Sequence, residues 1–363
     1  MLKLDNISLV QFRNYPLNTF SFTSNVIGFC GSNGSGKTNL LDAIYYLCFT
    51  KSYFGKTDAQ NVSHGKTGFR IEGHFAKQQQ MYKAVGVLRE NNKKEFGVDD
   101  ENYGRFARHI GRFPCVMIAP DDVAIITDAS EERRKFIDYT ISQLDSDYLQ
   151  TLIDYNKILQ QRNSLLKQLA ESGKIDEPLM DIISGQLVQK GNVIFTKRKA
   201  FLEAFIPMAI SLYHYISGHT EKLNITYQSN LLSASFEKLL NENKSKDRLL
   251  SRTTAGIHRD DLAFELNGEI FKTMASQGQR KSLLFALKLA EFEVLLKHNS
   301  FAPILLLDDV FEKLDAERMQ HLLFKVCVEN RGQVFITDTH CDRLKEALEK
   351  IGVQYQLYEL NRK

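Results

Sequence analysis

The glycine-rich stretch GFCGSNGSGKTNLL at residues 28–41 constrains the fold more than any other part of the chain. Gly31, Gly36, Lys37 and Thr38 complete the pattern G-x-x-x-x-G-K-[ST], and the apolar segment 26–29 before it predicts a short buried strand. Between a strand and a helix, such a loop surrounds phosphates with backbone N–H groups, while the lysine neutralises outer oxygens and the threonine hydroxyl holds Mg²⁺. We therefore predict nucleotide binding, although the loop alone fits a kinase, a GTPase, a motor or a switch.

Two carboxylates follow a second apolar run, far downstream of the loop. Residues 303–307, PILLL, predict a central parallel strand covered on both faces, and Asp308 and Asp309 follow at its carboxyl end, where open α/β sheets bind ligands. We predict that Asp308 holds Mg²⁺ through water beside Thr38, and that Asp309 positions or deprotonates the attacking water. The alternative is a solvated strand end followed by a turn.

A short polar motif, SQGQ at 276–279, stands immediately before the amphipathic helix RKSLLFALKLAEFEVLLK. Ser276 is a suitable N-cap, and the small Gly278 lets an anion approach the free N–H groups of the helix start. A capped helix without a ligand is the alternative. Because the glycine-rich loop already holds one nucleotide from its own side, a second anion-binding helix start indicates the nucleotide of a partner subunit.

This combination resembles ABC-type ATPases, in which two heads enclose two ATP molecules and each loop faces the SQGQ-like signature of the other head. LDAE at 314–317 follows the carboxylates where such proteins place a loop that crosses the dimer interface. Residues 333–337, QVFIT, predict the next core strand.

The rest of the chain indicates a head interrupted by a helical insert. Residues 1–29 and 68–98 read as strands, whereas apolar residues recur at helical spacing through the insert, with breaks near 172–177 and 217 and one short strand, LNITYQS. From residue 251 strands return, with a hairpin turned at Asn267-Gly268. We predict an α/β head, with a mixed sheet, helices and a strand-rich layer, from 1–130 and 251–363, and a helical arm from 131–250.

Composition excludes few classes of protein. The 363 residues suffice for about two domains, and 43% hydrophobic with 25% charged residues is ordinary for a soluble globular protein. The net charge of +3 neither indicates nor excludes nucleic acid. The cysteines at 30, 48, 115, 327 and 341 include no CxxC pair, so we expect a reduced protein of the cytoplasm. No run reaches the ~18 apolar residues of a membrane span, which predicts no membrane partner.

Motifs in a fixed order resemble those of the RecF family of bacterial recombination and repair proteins over nearly the whole chain. They are FRNY at 12–15, GSNGSGKTNLLDAIYYL at 31–47, PDDVAII at 120–126, RRKFID at 133–138, QRNSLLK at 161–167, GIHRDD at 256–261, MASQGQRKSLLFALKLAE at 274–291 and LLLDDVFEKLD at 305–315. Together and in this order they are highly specific.

The resemblance implies an ABC-type P-loop ATPase head like that of SMC proteins, with a compact helical arm in place of a long coiled coil. It further implies a weak ATPase with ATP and Mg²⁺ as cofactors, and an ATP-dependent homodimer that binds double-stranded and gapped DNA. With RecO and RecR, such a protein helps to load recombinase at gaps in DNA repair, replication restart and the SOS response. The lack of sustained heptads in the insert agrees with a short arm.

The resemblance also implies roles for single residues. Those expected to bind the nucleotide are Gly31, Ser32, Asn33, Gly34, Ser35, Gly36, Lys37, Thr38 and Asn39. Lys37 and Asp309 are expected to be catalytic, and Thr38 and Asp308 to hold the metal. Residues expected to touch the partner's γ-phosphate are Ser276, Gln277, Gly278 and Gln279. Many related ATPases have Glu where this chain has Asp309, whose shorter side chain fits slow turnover.

Three further assignments stay open on the sequence. Arg13 either reaches the nucleotide or is an exposed arginine at a strand end. In ITDTH at 336–340, Thr339, His340 or neither contacts the γ-phosphate. The candidates for DNA contact are basic residues of the insert, which suit phosphate binding without base reading but also suit a solvated helix face: Arg133, Arg134, Lys135, Lys197, Arg198 and Lys199.

Two other classes of function fit parts of the pattern. The first is a nucleotide-switched assembly protein that acts mainly on protein partners. The second is a P-loop kinase or GTPase, which would leave the signature unexplained and lacks an N/TKxD guanine motif.

Overall fold

The chain folds into two compact units in a computed structural model. The first consists of Met1–Val123, Leu212–Thr220 and Ser276–Lys363, and the second of Ala124–Ser211 and Glu221–Ala275. The structure describes residues 1–55, 57–174, 176–218, 221–309, 316–329 and 332–361, with the backbone alone at 316 and 317. Within these ranges, no helix is both long and apolar enough to cross a membrane.

The strands are, in chain order, β1 (Leu2–Phe12), β2 (Tyr15–Ser21), β3 (Val26–Cys30), β4 (Phe69–Lys77), β5 (Gln80–Leu88), β6 (Lys94–Val98), β7 (Glu101–Asn102), β8 (Cys115–Ile118), β9 (Leu223–Gln228), β10 (Asp261–Leu266), β11 (Glu269–Ile270), β12 (Ile304–Leu307), β13 (Val334–Asp338) and β14 (Tyr355–Glu359). The α-helices are α1 (Lys37–Phe49), α2 (Ala124–Thr127), α3 (Ser130–Leu144), α4 (Ser146–Ser172), α5 (Glu177–Ser217), α6 (Phe236–Glu242), α7 (Lys244–Leu250), α8 (Phe271–Met274), α9 (Gln277–Asn299), α10 (Ala316–Leu323) and α11 (Cys341–Lys350).

A parallel sheet in the first unit carries the strand ends that build the candidate site. Its order is β14-β3-β13-β12-β8, and each neighbouring pair is parallel. Every residue of β3, β8, β12 and β13 is buried, as expected for apolar strands covered on both faces. The strands predicted at 26–29, 303–307 and 333–337 are confirmed. Because parallel strands end at one edge, the glycine-rich loop, the two carboxylates and the end of β13 come together there.

An antiparallel sheet forms the strand-rich layer predicted for the same unit. Its order is β2-β1-β4-β5-β6-β7. The alternate residues of β1 and β4 that point inward share one apolar core with α1, the helix after the glycine-rich loop. This packing fixes the helix whose first turn carries Lys37 and Thr38.

The second unit is helical with one small sheet. The breaks predicted in the insert are confirmed, because α4 ends at Ser172 and α5 runs from Glu177 to Ser217. The sheet has the order β11-β10-β9, and Asn267 and Gly268 turn the hairpin with φ angles of 53° and 88°. The second arm of the hairpin is shorter than predicted, since α8 begins after only two strand residues.

The limits of the compact units differ from the predicted division at 130/131 and 250/251. Residues 251–275 belong to the helical unit because β10 pairs with β9 along its whole length. The last turns of α5, from Leu212, group with the first unit. The division into 1–130, 131–250 and 251–363 stays a hypothesis about function rather than a description of these units.

Cys30 and Cys341 form a disulfide, contrary to the expectation that every cysteine is reduced. Cys30 is the last residue of β3 and Cys341 the first of α11, and their Cα atoms are 5.0 Å apart. The two lie 311 positions apart, so only the pairing of β3 with β13 brings them together. Cys48, Cys115 and Cys327 are buried and lie outside this disulfide.

Candidate nucleotide-binding site

The glycine-rich loop has the backbone that its sequence predicts. Gly31, Gly34 and Gly36 have φ angles of 143°, 83° and 106°, and α1 begins directly after Gly36. Positive φ is readily available to glycine, so these positions permit the tight turn into the helix. The ammonium of Lys37 donates to the carbonyls of Gly31, at 2.7 Å, and Ser32, at 3.2 Å. The lysine therefore lies across the loop, where a phosphate would meet it.

Ser35 adds a sign that the loop suits an anion. Its hydroxyl is buried and makes no hydrogen bond within the described residues. A buried polar atom without a partner is costly, and a phosphate oxygen would supply one. Ser32, Asn33 and Gly34 are exposed at the tip of the same loop.

The FRNY motif supports the loop, a role that the sequence did not reveal. Asn14 donates to the Ser35 carbonyl at 3.2 Å, and the Tyr15 hydroxyl donates to the Gly36 carbonyl at 3.0 Å. Asn39, on the first turn of α1, donates to the Asn14 side chain at 2.7 Å. A Cβ at Gly36 would lie 2.4 Å from the Asn14 amide nitrogen, so a larger residue there would displace the Asn14 side chain that supports the loop.

Arg13 forms an ion pair with the buried carboxylate of Asp42 on α1. The guanidinium lies 2.6 Å from Asp42 and also donates to the Ser52 hydroxyl at 3.0 Å. Burial raises the pKa of Asp42, while Arg13 and Ser52 act in the opposite direction by stabilising the charged form. Its charge is paired inside the unit directly after β1, so it is not simply an exposed arginine, and contact with the nucleotide stays a prediction.

Asp308 meets Thr38 as predicted, although 270 positions separate them. The Thr38 hydroxyl lies 3.0 Å from each carboxylate oxygen, and the Thr337 hydroxyl donates to Asp308 at 2.7 Å. Asp308 is buried, and burial raises its pKa to about 6; the neighbouring Asp309 also raises it, whereas hydrogen bonds from Thr337 and Thr38 lower it. A cation here would favour the carboxylate.

The Thr38–Asp308 pair fits a magnesium site completed by a nucleotide. The Thr38 hydroxyl and the Asp308 carboxylate, 3.0 Å apart, are oxygen donors of the kind that Mg²⁺ prefers, so these two residues would hold the ion. The described residues contain no group of three His, Cys, Asp or Glu side chains that could hold a metal alone. Mg²⁺ in such sites commonly takes one or two protein ligands, substrate phosphates and water.

Asp309 has a strained backbone beside the pair. Its φ of 43° is in the left-handed region, which is uncommon for residues other than glycine. The Asp309 N–H donates to the Thr337 hydroxyl at 2.8 Å, so one threonine holds both carboxylate residues. Its role as the water-positioning residue stays a prediction.

Thr339 and His340 follow β13 at the same edge. The His340 side chain is exposed, and its backbone N–H donates to Asp338 at 2.9 Å as the residue that precedes α11. Thr339 is half-buried and its hydroxyl lies 3.4 Å from Asp338. Neither contact decides which of the two meets a γ-phosphate.

The signature residues cap α9. Ser276 is the N-cap: its hydroxyl accepts from the Gln279 N–H at 3.2 Å, while the Gln279 side chain accepts from the Ser276 N–H at 2.7 Å. Ser276 and Gln277 are exposed, and Gly278 is half-buried. The predicted cap is confirmed, whereas contact with a partner's nucleotide stays a prediction. Of the LDAE segment, Leu314 and Asp315 lie outside the described residues.

The helix behind the signature carries a buried charge that sequence reasoning missed. Lys288 of α9 lies 3.6 Å from Asp122 and 4.0 Å from Glu291, and all three residues are buried. The Tyr53 hydroxyl donates to Asp122 and accepts from Lys288. The motifs PDDVAII and MASQGQRKSLLFALKLAE therefore meet through an ion pair inside the first unit.

Arg133 and Arg198, predicted to contact DNA, are buried in ion pairs, so the prediction is wrong for both in this structure. Arg133 binds the carboxylate of Asp261 at 2.5 Å. Arg198 is 2% exposed and binds Asp138 and Asp260, each at 2.9 Å. These contacts lie within the second unit and explain why RRKFID and GIHRDD belong to one pattern.

The other basic candidates are partly accessible. Arg134 is half-buried and donates to the carbonyl of Asp260 at 2.7 Å, and Lys197 pairs with Asp145 at 2.5 Å. Lys135 and Lys199 are exposed. Contact of any of these with DNA stays a prediction.

The sequence model of the RecF/RecN/SMC N-terminal domain matches residues 3–360. The chain is 42% identical to the DNA replication and repair protein RecF of Flavobacterium johnsoniae, over 99% of this chain and 100% of that protein. It is 40% identical to the protein of the same name from Cytophaga hutchinsonii, over 99% and 95%.

Solved structures agree with these matches. A structure of the recombination mediator protein RecF-ATPrS in the RecFOR pathway superposes with a TM-score of 0.88 at 30% identity, covering 99% of this chain and 96% of that one. The Smc head domain from Pyrococcus furiosus shares the fold, with a TM-score of 0.57 at 13% identity over 99% and 94% of the two chains. The ABC-type head with an inserted helical part is therefore the fold of this protein, and the chain belongs to the RecF family.

Proposed function

We propose that this chain is an ATP-dependent DNA-binding protein of recombinational repair and replication restart, and a weak ATPase. The observation that carries the proposal is the meeting of Lys37, Thr38 and Asp308 at one sheet edge in a member of the RecF family. Relatives at about 40% identity are named DNA replication and repair proteins, and similar solved structures carry ATP or an ATP analogue by name.

Residues of the loop and the carboxylates after β12 have separate roles in holding ATP and Mg²⁺. Lys37 leaves the carbonyls of Gly31 and Ser32 for the outer phosphates, and Thr38 and Asp308 hold the metal. Mg²⁺ held by these two residues would neutralise charge on the phosphates. Asp309, held by Thr337, positions the water that attacks the γ-phosphate.

A second copy of the chain completes each site in this proposal. The signature at 276–279 offers exposed groups at the start of a long helix, which suits a phosphate brought by a partner subunit. ATP then acts as the link between two heads, and hydrolysis separates them. The dimer binds double-stranded and gapped DNA and acts with RecO and RecR at gaps. In support, the similar RecF structures are named as members of the RecFOR pathway.

Sedimentation with and without ATP and Mg²⁺ tests the site and the dimer separately. Lys37→Ala should lose tight ATP binding and ATP-induced dimerisation together. Ser276→Arg should keep ATP binding by the monomer but block dimerisation, because the arginine fills the face offered to the partner. A Ser276→Arg chain that dimerises normally with ATP would show that the composite site is wrong.

DNA binding tests the remaining part of the function. We expect affinity for gapped duplex that rises with ATP and falls with salt, because Lys and Arg release counterions from phosphates. Lys37→Ala should lose the ATP-dependent increase and keep the basal affinity of the monomer. Affinity that responds to neither ATP nor salt would favour a switch that acts on protein partners.

A further inference from the structure

We propose that Cys30 and Cys341 form a redox-modification site that low-molecular-weight disulfides, such as oxidised glutathione, convert from dithiol to disulfide. We further propose that the disulfide slows the nucleotide cycle of the adjoining loop. The second statement rests on the proposed ATP site, whereas the first stands on the two cysteines alone.

The position of the pair relates it to the nucleotide site. Cys30 directly precedes Gly31, whose carbonyl accepts from the Lys37 ammonium, and Cys341 directly follows His340. The disulfide therefore joins the base of the glycine-rich loop to the start of α11. Both segments begin at the carboxyl edge of the parallel sheet.

The unequal exposure of the two sulfurs gives the reaction an order. Cys30 is fully buried, whereas Cys341 is half-buried and is the first residue of the ten-residue helix α11, so a disulfide in solution can reach the Cys341 sulfur first. The Cys341 thiolate attacks one sulfur of glutathione disulfide, whose S–S bond breaks and releases one glutathione thiolate. Cys30 then attacks the Cys341 sulfur of the mixed disulfide and releases the second. The protein loses two electrons and two protons, which the two glutathione thiols carry away.

A chain of contacts leads from the disulfide to the catalytic edge. The segment that ends at Cys341 begins with Thr337, whose hydroxyl donates to Asp308 and accepts from the Asp309 N–H. Asp309 has a φ of 43°, so this contact helps to hold a strained conformation. In the proposed coupling, the 337–341 segment moves with Asp309 during a nucleotide cycle, and a covalent link to β3 opposes that movement. The oxidised chain should therefore bind ATP but turn it over more slowly.

Thiol mapping tests the modification site without nucleotide. The full-length chain is equilibrated in oxidised or reduced glutathione, alkylated in its folded state, digested and analysed by mass spectrometry. We expect a linked Cys30–Cys341 peptide in the oxidised sample and alkylated Cys341 in the reduced one. Cys341→Ser should give no linked peptide under either condition, and Cys327→Ser, which removes a buried free thiol, should behave like the wild type. Alkylation of Cys341 that is complete in both buffers would overturn the proposal.

Turnover at saturating MgATP tests the coupling in the same three chains. In the wild type and Cys327→Ser, the reduced form should turn over about fivefold faster than the oxidised form, since a restrained segment limits the cycle. In Cys341→Ser the two rates should agree, at the level of the reduced wild type. Equal rates in the wild type, or a redox effect that persists in Cys341→Ser, would overturn the coupling. If the reduced wild type fails to bind a fluorescent ATP analogue, the proposed function and the coupling both fail, while the thiol mapping still decides the modification site.

Discussion

Replacement of Asp308 by Asn should stabilise the ligand-free chain at neutral pH, although it removes a metal ligand. Asp308 is buried, and burial raises its pKa from 3.8 to about 6. Hydrogen bonds from Thr337 and Thr38 only partly offset this effect. An asparagine keeps the shape of the side chain and can accept from Thr337 through its oxygen, but it buries no charge.

The pKa difference sets both the size and the sign of the effect. At ~1.4 kcal/mol per pKa unit, the change from 3.8 to about 6 means that the ionised carboxylate costs the folded state about 3 kcal/mol. Because the folded chain binds this proton more tightly, wild-type stability falls as the pH rises from about 4 to about 6. The cost of the ionised carboxylate applies in full above about pH 6 and is absent below about pH 4. Asp308→Asn should therefore exceed the wild type by about 3 kcal/mol at about pH 7.5 and by about 1.5 kcal/mol at about pH 5.

Urea unfolding followed by far-UV circular dichroism, without nucleotide, measures this difference across the pH range. Asp121→Asn, at an exposed carboxylate of the same unit, is the matched control and should show no pH-dependent gain. Saturating MgATP should reverse the order, since ligand binding adds stability only to the chain that retains the metal ligand. The reasoning would be refuted if the Asp308→Asn chain were less stable than the wild type at about pH 7.5. It would also be refuted if the difference in unfolding free energy between the two chains did not change with pH.

Two further predictions concern the loop and the second unit. Gly36→Ala should lose ATP-analogue binding and lower the unfolding free energy by about 1–3 kcal/mol, because φ is 106° and a Cβ would collide with Asn14; equilibrium unfolding and fluorescence titration measure the two effects. Arg198→Met should destabilise the chain by about 3–5 kcal/mol, since it leaves the half-buried Asp138 and the buried Asp260 without their cation, whereas Lys199→Met at the exposed neighbouring position should change stability by less than about 0.5 kcal/mol. Equal thermal stabilities of these two variants would contradict the assignment of Arg198.

The meeting of Thr38 with Asp308 could be predicted because it depends on a general rule of sheets. An all-apolar run indicates a buried parallel strand, and parallel strands in one sheet present their carboxyl ends at one edge. The rule requires no knowledge of which strands are neighbours. The loop, the carboxylates and the capped start of α9 could also be predicted, because each is encoded by a short local pattern in the sequence.

The support provided by Asn14 and Tyr15 could not be predicted in this way. It depends on where the end of β1 lies relative to α1, which is set by packing of the apolar core and not by any local motif. The Cys30–Cys341 pair is a similar case, because a spacing of 311 positions carries no signal of proximity. The ion pair of Arg13 with Asp42 likewise depends on the packing of β1 against α1 and not on the FRNY motif itself.

Because Arg133 and Arg198 are buried, DNA binding depends on other basic residues. Consecutive basic residues in a helix do not reveal whether carboxylates of other segments pair with them. Here Asp261 pairs with Arg133, and Asp138 and Asp260 pair with Arg198.

The basic candidates that remain accessible are few, and even Lys135 lies within 3 Å of the carboxylates of two glutamates. With a net charge of +3, one copy of the chain should bind phosphates weakly. Joining two copies on one duplex adds their contacts and makes the second binding event intramolecular, so weak sites can together give firm binding. The slope of the logarithm of the DNA-binding constant against the logarithm of salt concentration should then be about twice as steep with ATP as without it. The reason is that the number of neutralised phosphates doubles in the dimer. On this argument, ATP controls DNA affinity through the number of copies bound and not through a change in either basic surface.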